Sequence, residues 1–132
     1  MNKVILIAED YVELSRTMGE MFGRSGFKVY IAHTVDEAVG LIPTLKEEDC
    51  VIAILDGDLG SGEGTRDGKV IAHALRKEIE GITIIAHSGQ IGAIDWADHR
   101  FDKLSCSPKE LIKFVKEITR YDNSTRIKQG DN

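Results

Sequence analysis

The sequence has little sulfur and little proline. Among its 132 residues are two cysteines, Cys50 and Cys106, and two prolines. The cysteines form no CxxC pair and no disulfide framework, which argues against a stapled secreted scaffold and against a thiolate metal site. Both read as buried or idle thiols. Long apolar runs are missing as well. Stretches such as residues 4–8, VILIA, fall far short of the roughly 20 residues that span a bilayer, so no membrane insertion is expected. No Lys/Arg-rich run occurs, and the net charge is −5, which disfavours direct nucleic-acid binding. Met1-Asn2-Lys3 leads straight into a strand-like run without a signal-peptide pattern. The expected compartment is a reducing cytoplasm.

What is present suits one domain. Hydrophobic residues make up 42% and charged residues 30%, close to ordinary globular usage, so a packed core is within reach. Residues 1–120 read as the domain and residues 121–132 as a polar C-terminal tail, expected to fray. Four short β-branched runs stand out at residues 4–8, 27–32, 51–55 and 82–86. Three are apolar at nearly every position, the pattern of strands covered on both faces of a parallel sheet. The run at 27–32 alternates through Lys28 and Tyr30, which suits an edge.

Helical patterns fall between these runs. Leu14, Met18, Met21 and Phe22 share one face of a first helix. Thr34-Val35-Asp36-Glu37 reads as a capping box that opens a second helix through Leu45. Val70, Ile71, Ala74 and Leu75 mark a third. Ser107-Pro108-Lys109-Glu110 starts another, with Leu111, Phe114, Val115 and Ile118 at helical spacing. A short, polar fifth strand near residues 100–104 completes the sheet. Residues 89–99 offer only Ile91, Ile94 and Trp96 as apolar anchors, so the helix expected there is shortened or missing. Strand and helix alternate, which predicts an α/β fold: a three-layer α/β/α sandwich on a five-stranded parallel sheet.

In such a sheet, ligands bind beyond the carboxyl ends of the strands. That rule selects Glu9 and Asp10 after the first strand and Asp56 and Asp58 after the third. It also selects Ser88 after the fourth and Lys103 near the end of the fifth. Clustered carboxylates repel unless a cation sits among them. A hard divalent ion with oxygen ligands, Mg²⁺, is the natural occupant. It would also neutralise incoming phosphate oxygens, and a carboxylate beside it can attack phosphorus to form an acyl phosphate. Ser88 and Lys103 would then hold the remaining phosphoryl oxygens.

Ile5-Leu6-Ile7-Ala8-Glu9-Asp10, Ile54-Leu55-Asp56-Gly57-Asp58-Leu59, Ile85-Ala86-His87-Ser88-Gly89 and Lys103 resemble the four landmarks of response-regulator receiver domains. The resemblance covers about residues 3–120. It implies the flavodoxin-like strand order 2-1-3-4-5, with Mg²⁺ or Mn²⁺ as cofactor. Asp56 matches the phosphoacceptor. Glu9 and Asp10 match the metal-binding acid pair, Asp10 the more direct ligand and Glu9 acting through water. Asp58 stands where the family offers a backbone carbonyl to the metal. Ser88 matches the switch hydroxyl, Gly89 the small residue after it, and Lys103 the phosphate-contacting lysine. The implied function is a stand-alone response regulator. It would be phosphorylated by a histidine kinase or histidine phosphotransfer protein, and would signal by contact with an unknown downstream protein or by onward phosphotransfer. It would be a signalling protein, not an enzyme, beyond assisting its own phosphorylation and dephosphorylation.

Three departures from the family pattern stand out. The stretch Leu59-Gly60-Ser61-Gly62-Glu63-Gly64-Thr65-Arg66 before Asp67-Gly68 is long and glycine-rich. The family's Lys-Pro, with its cis bond, is Lys103-Leu104 here. The path from Ser88 to Lys103 is short, and the position of the family's switch aromatic is Arg100, with Phe101 one step later on the opposite strand face. Asp67 reads as a helix opener, Glu63 as a solvated charge, His87 as a core or surface histidine, and Trp96 as a packing anchor over the pocket rim. Two other readings stand beside the receiver. Asp56-Gly57-Asp58 also resembles the DxD nucleophile motif of haloacid-dehalogenase-type phosphatases. A degenerate receiver that binds a partner without phosphorylation is the other.

Overall fold

The computed structural model describes residues 3–130, with side chains through Arg120. The elements run in the order β1 (Val4–Ala8), α1 (Val12–Arg24), β2 (Lys28–Ala32), α2 (Val35–Glu47), β3 (Ile52–Leu55), α3 (Arg66–Glu78), β4 (Thr83–Ser88), a single 3₁₀ turn (Ile91–Ala93), β5 (His99–Asp102) and α4 (Pro108–Gly130). The strands pair in parallel in the order β2-β1-β3-β4-β5. The expected order, the alternation and the missing helix between β4 and β5 are all present. The strand runs at 4–8 and 51–55 are buried at nearly every residue, as their unbroken apolar character required, and β2 lies at an edge.

Strand alternation splits the core into two. Leu6, Ala53, Leu55, Ile84 and Ala86 point toward α2 and α3, where Ala38, Leu45, Ile71 and Leu75 meet them. Ile5, Ile7, Ile52, Ile54 and Ile85 point the other way, against Met18 and Phe22 of α1 and Leu111 and Val115 of α4. Each fully buried side chain of this size contributes about 1.5–3 kcal/mol, so both layers are firmly seated. The caps behave as their residues dictate. Thr34 Oγ1 accepts from Glu37 N at 3.1 Å, and the Glu37 carboxylate reaches back to His33 N. Ser107 and Glu110 cap each other reciprocally, at 3.3 and 3.2 Å.

Two boundaries differ from expectation. β5 begins at His99 and ends at Asp102, so Lys103 is the first residue beyond it. Its amide still continues the ladder, donating to Ser88 O at 3.1 Å. The polar tail expected from residue 121 carries helical backbone as far as Gly130, because nothing between them breaks a helix. All peptide bonds among the described residues are trans, Lys103–Leu104 included. No helix there is long and apolar enough to cross a membrane.

Candidate functional site

Three backbone hydrogen bonds carry the ladders one step past the strands and so fix the site. Glu9 N donates to Ala32 O at 3.0 Å, Asp56 N to Ala8 O at 2.9 Å, and Lys103 N to Ser88 O. Glu9, Asp56 and Lys103 are thereby delivered to one edge of the sheet. Ligand oxygens of Glu9, Asp10 and Asp56 lie within 4.8 Å of one another. Glu9 and Asp56 are buried and Asp10 is exposed. An all-oxygen set with one open side fits a hard divalent cation, which keeps several waters and takes one or two carboxylates.

Lys103 closes the cluster. Its Nζ donates to Asp56 Oδ2 at 2.8 Å and pairs with Glu9 Oε1 as well. Burial works against the ammonium, but the two carboxylates outweigh it and hold Lys103 above the ordinary lysine range. Burial pushes the Glu9 carboxyl up to about 7 in spite of Lys103's opposing pull, with the Asp56 charge adding to the rise. Burial, more than the neighbouring charge, thus favours the protonated form of Glu9 in the metal-free site.

The other expected residues fall as follows. Ser88 is buried at the end of β4, and its Oγ accepts from Gln90 N at 3.2 Å. Asp58 does not join the acid cluster: its carboxylate accepts from Gly60 N at 2.9 Å and Gly62 N at 3.3 Å. Phe101 faces the α4 layer, its ring 5.0 Å from that of Phe114, while Arg100 turns the other way and donates to Ile94 O. The one-residue offset does place them on opposite faces. Glu63 is exposed and pairs with Arg66 at 2.9 Å.

Asp67 is more than a helix opener. It is buried, and its Oδ2 holds Leu59 N at 2.7 Å and Ser61 N at 3.3 Å. Burial alone would raise its carboxyl, but these donors hold it below the ordinary range. Gly60, Gly62 and Gly64 take left-handed φ values of 104°, 73° and 65°, which explains the extra glycines in this loop. The only sequence signal for Asp67's part was an acid in the first turn of a helix that follows a glycine-rich loop. His87 and Trp96 are buried, and His87 Nε2 and Trp96 Nε1 have no hydrogen-bond partner among the described residues. Arg76 carried no signal at all, yet it pairs with Asp98 at 3.3 Å and donates to Trp96 O.

No family model matches the chain, and no curated protein does either. Solved structures do match. A CheY-like response regulator receiver domain protein from Methanospirillum hungatei has a TM-score of 0.76 at 22% identity, covering 95% of this chain and 99% of that one. The non-phosphorylated HemR receiver domain from Leptospira biflexa gives 0.73 at 22%, covering 89% and 94%. The response regulator TrrA from Thermotoga maritima, solved in complex with Mg²⁺–BeF, gives 0.69 at 22%, covering 87% and 97%. The fold is therefore that of receiver domains.

Proposed function

We propose that this chain is a receiver domain that accepts a phosphoryl group on Asp56. The donor is the phosphohistidine of a histidine kinase or a histidine phosphotransfer protein. The domain is residues 1–120, and its setting is the cytoplasm. The observation that carries the reading is Lys103, whose amine lies 2.8 Å from Asp56 Oδ2 although 47 positions separate the two in sequence. A lysine, a buried acceptor and two further acids meet at the ligand-binding edge of a receiver fold.

In the transfer, an Asp56 oxygen attacks phosphorus, the P–N bond of the donor breaks, and the released imidazole nitrogen takes up a proton. Glu9, Asp10, Asp56 and the backbone carbonyl of Asp58 would hold Mg²⁺ or Mn²⁺, whose charge offsets that of the phosphoryl oxygens. Lys103 follows the acceptor's new oxygens, and Ser88 turns its hydroxyl toward them. Output passes by contact with another protein or by onward transfer.

Incubation with acetyl phosphate and Mg²⁺ should add one phosphoryl group to the intact protein by mass, and none to Asp56→Asn. Equal labelling of both, or of neither, refutes the reading. Against the phosphatase alternative, Oδ1 of the Asp58 carboxylate accepts from two loop amides and the side chain stands apart from the acid cluster. Steady hydrolysis of a phosphate ester, abolished by Asp58→Asn, would restore that alternative. A phosphorylation-independent binding role fits poorly with an intact set of acids, hydroxyl and lysine.

A further inference from the structure

A backbone carbonyl can serve a cation only if its peptide plane is held in line. We propose that Asp67 does this for the Asp58 carbonyl: it is a positioning residue for the divalent cation, fixing and polarising that carbonyl through the Leu59 amide. The inference rests on the acid cluster being the Mg²⁺ site of the acceptor.

One peptide group carries both the Asp58 carbonyl and the Leu59 N–H. That N–H donates to Asp67 Oδ2 at 2.7 Å, across eight positions of sequence. The bond is buried and charge-assisted, a class about twice as strong as a neutral pair. Asp67 is buried, and its donors hold its carboxyl below the ordinary range, so it is an anion at neutral pH. An anion on the N–H side of a peptide polarises the group and leaves its carbonyl oxygen richer in electrons. Such an oxygen is a better ligand for a hard cation. No backbone amide among the described residues donates to Asp58 O.

The neighbouring peptide is held from the same place. Gly68 N donates to Gly57 O at 2.9 Å, and a Cβ on Gly57 would sit 2.8 Å from Thr65 Cγ2. The peptide before Asp58 is thus held through its carbonyl by Gly68, and the peptide after it through its N–H by Asp67. Both holders lie in the first turn of α3, a helix seated in the core by Ile71 and Leu75. The Asp58 carboxylate stands outside the acid cluster, its Oδ1 accepting from Gly60 N and Gly62 N. Asp67 is not one of the three acids that close on the ion site, so it acts through the peptide and not as a ligand. Mg²⁺ demands near-octahedral ligands at about 2.0–2.1 Å, which makes it intolerant of a carbonyl swung out of line.

Asp67→Ala removes the acceptor of the Leu59 bond, whereas Asp67→Asn keeps an oxygen there and gives up the charge. Mg²⁺ is titrated into the full chain and followed by the amide shifts of Asp56 and Lys103, with the carbon-13 shift of the Asp58 carbonyl recorded alongside. In wild type that carbonyl should move on binding. In Asp67→Ala it should stay still, and Mg²⁺ affinity should fall on the order of tenfold, as when a residue that orients a ligand is lost. The Leu59 amide should also exchange faster in the metal-free variant. Asp67→Asn should fall between wild type and Asp67→Ala. Glu63→Gln, exposed on the same loop, should bind as wild type does. Wild-type affinity in Asp67→Ala, equal losses in the two Asp67 variants, or the same loss in Glu63→Gln overturns the inference and leaves the metal site standing. So does Mg²⁺ binding to wild type without a shift of the Asp58 carbonyl. Should Asp67→Ala not fold, Asp67→Asn decides, and unchanged affinity with an unchanged Leu59 amide shift overturns the inference. Absence of any Mg²⁺-dependent shift at Asp56 and Lys103 in wild type overturns both readings.

Discussion

Replacing Lys103 with methionine keeps most of the side chain's apolar stem and removes its charge from between two buried carboxylates. Glu9 and Asp56 side chains are 4% and 10% exposed, and that of Lys103 is 22% exposed. Removing one partner of a fully buried pair costs about 3–5 kcal/mol. Partial exposure of the lysine lowers this to about 3 kcal/mol with both carboxylates ionised. Glu9 provides an escape, because it can take up a proton. Its folded value stands near 7 against 4.5 for the free side chain. Between those values the folded state holds the extra proton, so metal-free stability falls as the pH rises through that window. Lys103 pulls the Glu9 value down; without it, Glu9 keeps its proton to still higher pH. Wild type and Lys103→Met should therefore differ least near pH 6 and most near pH 8. At roughly 3 °C per kcal/mol for a chain of this size, the gap in Tm should be about 9 °C near pH 8 and about half that near pH 6. Millimolar Mg²⁺ should narrow the gap at pH 8 by supplying the missing charge. Thermal melts of both proteins at the two pH values, with and without Mg²⁺, make the test. Equal Tm at pH 8, or a gap that neither pH nor Mg²⁺ alters, would refute the electrostatic account of the site.

Gly68→Ala should lower stability by about 2 kcal/mol in urea melts, because its Cβ would strike Trp96 and the Asp56 carbonyl; Trp96→Ala in the same chain should recover part of the loss. Thr34→Ala should lose about 1 kcal/mol with the cap bond to Glu37 N, read by the same melts. Burial pushes the Cys50 thiol up to about 12, so Cys50 should resist iodoacetamide near pH 8 in the folded protein and react once urea unfolds it; peptide masses before and after would show otherwise if the thiol is open.

The site was legible where the chemistry sits on the sheet. Apolar strands buried on both faces announce themselves, and the first polar residue after each one must lie at the ligand edge. That rule placed Glu9 and Asp56 at the edge; Ser88 came from the end of the fourth strand, one residue past His87, and Lys103 from completing the sheet. The short path from Ser88 to Lys103, with only Ile91, Ile94 and Trp96 as apolar anchors, pointed to a shortened or missing helix there. What escaped depended on where polar side chains turn once they leave regular structure. Asp58 and Asp67 belong to the same loop and look alike in sequence; one turns to Gly60 and Gly62, the other to Leu59 and Ser61. No periodicity encodes that choice. The clasp of Arg76 on Trp96 and Asp98 is equally silent, because an arginine in the last turn of a helix is expected for other reasons. The start of β5 was missed for its exposed His99 and Arg100, which dilute the strand pattern at an edge.

The strand order β2-β1-β3-β4-β5 also bears on how the molecule is made. A chain emerging from the ribosome pairs β2 with β1, then adds β3 to the free side of β1, β4 to β3, and β5 to β4. Each new strand finds its neighbour already present, so no finished pair has to open for a later one. The acids arrive early in this sequence, Glu9 and Asp10 with the first strand and Asp56 with the third, while Lys103 arrives only behind the last. Until then the nascent sheet carries carboxylates without their internal cation. The final strand thus completes the sheet's hydrogen bonding and brings the site its internal cation in one step, before α4 covers the second layer of the core.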